Sequence, residues 1–147
     1  MEILRVAKII WKVKTAKDVR NFLWELPQNL LGLILIQITN AWYSVGWDDC
    51  YFTEKIDFAV SLGSYIVASR SLYNTFVVMK HEQGYQKLSR KYGWFYLPIV
   101  GIPSVIRYLI DRYAHKNWSY KDRERWYYSG FPEKQADKYA NIKRFKE

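Results

Sequence analysis

The stretch Lys80-His81-Glu82-Gln83-Gly84-Tyr85-Gln86 decides how this chain is read. It follows Ile56 to Met79, a segment with no proline and few turn signals that reads as helix, so His81, Glu82 and Tyr85 are expected on helical turns. Residues four apart share a helix face. In an H-E-x-x-H helix that spacing sets two imidazoles on one zinc ion and leaves the glutamate beside the bound water as general base. Here the first two elements stand, and Tyr85 occupies the place of the second histidine. A His-Glu pair alone is a common surface dipeptide, so its weight depends on its surroundings.

Downstream, Pro132-Glu133-Lys134-Gln135-Ala136-Asp137 places two carboxylates four residues apart, with Pro132 suited to open a short helix. A later helix can bring a glutamate as third ligand, and an aspartate on the same face can orient a ligating imidazole. The same spacing also fits a solvated C-terminal helix with Asp137 paired to a lysine.

The text from His81 to Ser104, H-E-Q-G-Y-Q-K-L-S-R-K-Y-G-W-F-Y-L-P-I-V-G-I-P-S, followed by W-Y-Y-S-G-F-P-E-K-Q-A-D, resembles a family of small bacterial zincin-like metallopeptidases, segments of which also end some Rhs-type polymorphic toxins. The likeness runs from His81 to about Asn141, and the upstream text Leu23 to Gly32 extends it. It implies zinc as cofactor, His81 and Glu133 as metal ligands, Glu82 as catalytic base and Asp137 behind the imidazole. Two departures stand out. Tyr85 replaces the second zinc histidine, and Leu88 precedes Ser89 where the family carries glutamine. A phenol with an ordinary pKa of about 10 is a poor zinc ligand near neutrality, and two protein ligands hold zinc weakly against the usual three. His115, the other histidine, lies in a polar stretch and is not on an adjacent turn of the same helix.

The 147 residues fit one domain, divided into a basic amphipathic helix at 1–22, an apolar helix at 26–47 and a zincin-like region at 56–147. The fold class expected is mainly α, a zincin-like helical domain, because no segment alternates apolar and polar residues long enough to indicate a strand. The formal charge of +9 gathers at both ends, from Arg5 to Arg20 and from Arg107 onward, and attracts phosphates of lipid or nucleic acid. No secretory leader pattern opens the chain. Cys50 is single, which excludes an internal disulfide and a cysteine zinc knuckle and points to a buried thiol.

Leu26 to Trp47 is uncharged and long enough to span a bilayer, with Leu31, Leu33, Ile34, Leu35 and Ile36 as candidate membrane contacts. A buried core helix explains the same run. A second uncharged run, Tyr92 to Ile106, carries Pro98, Gly101 and Pro103 and is expected to be bent or re-entrant. If both runs crossed a membrane, His81 and Glu133 would lie on opposite sides, so a shared site requires that the second does not span. Membrane lipid is the expected partner, with a protein or peptide partner also open, and the cytoplasmic face of the inner membrane is the expected location, the cytoplasm the alternative. Three functions compete. The first is a metal-deficient zincin relative acting as a binding or scaffold module, and the second a zinc peptidase with an unusual ligand set. The third, less favoured, is nucleic-acid binding through Trp118, Tyr120, Arg123, Arg125, Trp126, Tyr127 and Tyr128.

Overall fold

The computed structural model describes residues 15–44 and 46–145. Most of the expected N-terminal amphipathic helix therefore lies outside the described residues, as do Val45 and the last two positions. What is described of it is α1, Ala16–Trp24. Thr15 caps it: its hydroxyl accepts the Asp18 amide while the Asp18 carboxylate accepts the Thr15 amide, a reciprocal pair that satisfies two of the first turn's free N–H groups. Glu25 separates α1 from α2, Leu26–Thr39, which has Pro27 in its first turn and ends on Asn40 in the left-handed conformation with φ 51°.

A four-stranded sheet follows: β1 (Trp42–Tyr43), β2 (Cys50–Thr53), β3 (Ala59–Leu62) and β4 (Tyr65–Ser69), in spatial order β1-β2-β4-β3. The β2/β4 pair is parallel and the others antiparallel. The sheet is sandwiched. On one face Tyr51, Tyr65 and Val67 pack under Ile36 of α2; on the other Cys50, Phe52, Ile66 and Ala68 meet Met79 of α3, Phe76–Tyr92. Cys50 is fully buried, as expected.

This corrects the helix expected over Ile56 to Met79. The segment contains two strands joined by a tight turn at Gly63 (φ 65°) and Ser64, then a 3₁₀ turn at Arg70–Leu72, and α-helix begins only at Phe76. A strand buried on both faces shows an unbroken apolar run, here Tyr65-Ile66-Val67-Ala68, with no alternation to distinguish it from a buried helix. The helix expected over Leu26 to Trp47 is also shorter, since Asn40 ends it and Trp42 and Tyr43 pair with β2.

From Phe76 the chain stays helical to Ala114: α3, a 3₁₀ turn at Gly93–Phe95, a π turn at Leu97–Gly101, α4 at Ile102–Leu109 and a second π turn at Ile110–Ala114. Pro98 and Pro103 sit in the first residues of the π turn and of α4, so their missing N–H groups fall where the hydrogen-bond register changes. The expected interruption of ordinary helix bonding is therefore a switch to π winding. Then come α5, Tyr120–Ser129, capped by Ser119, and α6, Glu133–Tyr139, preceded by a cis Phe131–Pro132 bond. Tyr85, Leu88, Tyr96, Val100 and Ala136 form the cluster joining α3, the following helix and α6.

The fold is thus mainly helical with a small mixed sheet. Among the described residues no helix is long and apolar enough to cross a membrane. Even so, α4 buries none of its residues, and Ile99, Ile102, Val105, Ile106, Leu109 and Tyr113 form one outward stripe at helical spacing. On α2, Leu30, Leu31, Ile34 and Ile38 also face outward.

Candidate functional site

The site is built where α3 crosses α6. Gly84 permits the crossing: a Cβ there would collide with the carbonyl oxygen of Ala136, so the two backbones meet at a distance that only glycine allows. This contact brings His81, Glu82 and Tyr85 of α3 against Glu133 and Asp137 of α6, uniting all five residues expected from the spacing.

His81 is 5% exposed, and both ring nitrogens donate to carboxylates: Nδ1 to Asp137 Oδ1 at 2.7 Å and Nε2 to Glu133 Oε2 at 2.8 Å. A ring with two donors is an imidazolium. Burial pulls its pKa down, but the bonds to Asp137 and Glu133 outweigh that and hold it up at about 9. Asp137 also accepts from Arg144 Nε at 2.6 Å and Nη2 at 3.1 Å. Burial would raise its carboxyl, yet His81 and Arg144 keep it below the ordinary value. The Arg144 guanidinium lies 3.5 Å from the centre of the Tyr128 ring, which meets His81 edge-on at 5.4 Å.

Glu133, 1% exposed, is saturated on its other oxygen: Ser104 Oγ donates to Oε1 at 2.9 Å and itself accepts from Tyr85 OH at 3.1 Å. Burial, with the Glu133 charge, pushes the Tyr85 phenol far above its ordinary pKa. Glu82 sits beside them, accepting the backbone N–H of Ser61. Burial lifts its carboxyl to about 7, against the lowering effect of the His81 charge.

These residues do not fit a catalytic zinc ion. The imidazole lone pair a metal needs is protonated and spent on Glu133, and the place of the second histidine holds a phenol that burial keeps neutral and Ser104 engages. Among the described residues no group of three or more His, Cys, Asp or Glu side chains is arranged to hold a metal. His115 does not enter the site. It stacks on Trp118 at 3.7 Å and meets Trp126 edge-on at 4.3 Å, more enclosed than its polar neighbours suggested.

His81, Glu82, Tyr85 and Glu133 border a cleft of about 820 Å³ between β3, α3, the helix from Leu97 to Asp111, and α5, while Asp137 lies behind the imidazole and outside the cleft lining. Leu31, Val60, Leu62, Leu97, Ile102 and Val105 supply apolar wall, while Ser61, His81, Glu82, Ser104 and Glu133 supply the polar lining. Of the aromatics considered for base stacking, Tyr127 and Tyr128 line this cleft and Trp126 lies under the Arg107 guanidinium at 4.0 Å, while Trp118 and Tyr120 remain exposed. Arg123 is spent on Asp111, at 3.2 and 2.7 Å. Of the candidate lipid contacts, Leu31 and Ile34 are exposed, Leu33 and Leu35 are half-buried against the sheet cluster, and Ile36 is buried in it.

Sequence reasoning overlooked Ser61, Tyr96, Ser104 and Arg144. Tyr96 and Ser104 lay inside the quoted His81 to Ser104 text without a role, and the other two carried no local signal. Comparisons with protein-family models, with curated proteins and with solved structures find no match to this chain.

Proposed function

We propose that this chain is a zincin-like module that works without metal, as a binding or scaffold protein seated on a membrane surface. The observation that carries the reading is the double engagement of His81 by Asp137 and Glu133, with Tyr85 in the place of the second histidine. A direct carboxylate–imidazolium–carboxylate bridge ties α3 to α6 as a shared metal would, and the His81 charge together with the Arg144 guanidinium on Asp137 offsets the two buried acids. The family likeness of His81 to Asn141 supports descent from a peptidase scaffold, since a fold can outlast the site grafted on it.

The membrane setting is supported by the outward stripe of α4 and the exposed face of α2, joined to a formal charge of +9. Interfacial binding needs a large apolar face and basic surroundings rather than a spanning helix. The cytoplasmic leaflet, which is anionic, is the surface that this charge suits.

Elemental analysis of the purified chain tests the metal question. The expected result is substoichiometric zinc in the native protein and near-stoichiometric zinc in Tyr85→His, which supplies the third ligand that catalytic sites use. Stoichiometric zinc in the native chain, lost in His81→Ala and accompanied by peptide hydrolysis, overturns the reading in favour of a working peptidase.

A further inference from the structure

We infer that the cleft binds the aliphatic chain of an amphiphile drawn from a bilayer, with a head group that donates a hydrogen bond and carries no negative charge. This rests on the membrane setting proposed above and names the ligand of the same site.

The size is suitable: about 820 Å³ lies within the roughly 300 to 1,000 Å³ typical of small-molecule sites. The mouth decides the route. Leu31, Ile102 and Val105 line the cleft and are also 44%, 57% and 58% exposed, so its rim belongs to the outward apolar face. A chain leaving the acyl region of a bilayer against that face enters without crossing water, and burial of its CH₂ groups favours it.

The inner end decides the head group. Ser61 is 4% exposed and lines the cleft, and its hydroxyl has no hydrogen-bond partner among the described residues, an unmet requirement that a ligand can satisfy. Ser61 lies on the α3 side of the sheet, with its backbone N–H on Glu82. Negative head groups are disfavoured because, among the described residues, both cations lining the cleft are spent. His81 gives its two N–H groups to Asp137 and Glu133, and Arg123 is held bidentately by Asp111. The remaining charge belongs to carboxyl groups, which repel an anion and accept from a hydroxyl or an ammonium.

An extended peptide fits less well. β3 is a sheet edge, but at its centre the outward N–H of Ser61 is taken by Glu82 and its carbonyl accepts from Tyr96 OH at 3.3 Å. A strand added there would find no free pair at that position.

The test is calorimetric titration of the full chain with 1-monolauroylglycerol, dodecylamine and laurate, each below its critical micelle concentration. Expected are one site per chain for the first two and binding at least about tenfold weaker for laurate. Ser61→Ala should weaken monolauroylglycerol about tenfold, and Val105→Glu, on the exposed rim, should abolish binding while circular dichroism stays native. Equal binding of laurate, indifference to both substitutions, or no binding of any probe overturns the inference. Zinc content of the same sample reads the metal-free proposal separately: zinc with chain binding removes that reading alone, and neither zinc nor chain binding removes this one alone.

Discussion

Gly84 sets how closely α3 and α6 approach. Since a Cβ there would strike the Ala136 carbonyl, Gly84→Ala should push α6 off α3 and cost more than about 2 kcal/mol, visible as a lowered urea midpoint. The buried titratable groups predict a pH dependence whose sign is the same for both. Glu82 is raised to about 7 from 4.5, so its contribution is fully present below 4.5 and is lost as pH rises through 7. His81 is raised to about 9 from 6.5, so its contribution is present below 6.5 and is lost as pH passes 9. On the acid side Asp137 acts in the opposite sense, its contribution vanishing as pH drops through its lowered value. Thermal midpoints should therefore decline from pH 5 to pH 9.5, and an equal or higher midpoint at pH 9.5 would contradict the His81 bridge.

Among the elements, the helix from Leu97 to Ala114 departs most from globular habit, because its apolar stripe faces away from the core. Ile99 and Leu109 belong to that stripe without lining the cleft, and they are 41% and 44% exposed. The double change Ile99→Asp with Leu109→Asp should abolish co-sedimentation with phosphatidylglycerol-containing vesicles and alter folding stability by less than about 1 kcal/mol. Native protein should pellet with those vesicles and be partly released by salt, since a basic surface adds a screened electrostatic component. Loss of stability without loss of vesicle binding would mean that the stripe serves the fold. The strands show the limits of element-level reading: β2 and β4 are buried throughout, so their residues lack the period of two that marks a half-exposed strand.

For the molecule as a whole, α6 acts as a clasp between distant parts of the chain. It sets Glu133 and Asp137 on a histidine more than fifty positions earlier and holds Ala136 in the cluster with Leu88, Tyr96 and Val100. A chain ended at Gly130 leaves His81 without either carboxylate and opens that cluster. It should lose near-ultraviolet tyrosine dichroism while retaining much of its far-ultraviolet helix signal, and unchanged near-ultraviolet bands would show that the core closes without α6. The sequence by itself determined the repeating intervals: His81 with Tyr85, Glu133 with Asp137, and the two uncharged runs that become α2 and the Leu97 helix. Such intervals are local, and helix geometry converts them directly into shared faces. The tertiary structure alone decided which face turns inward, which apolar run is strand, and that His81 Nε2 meets Glu133. Those outcomes depend on partners brought from fifty residues away and on desolvation at their meeting point, quantities that no spacing along the chain contains.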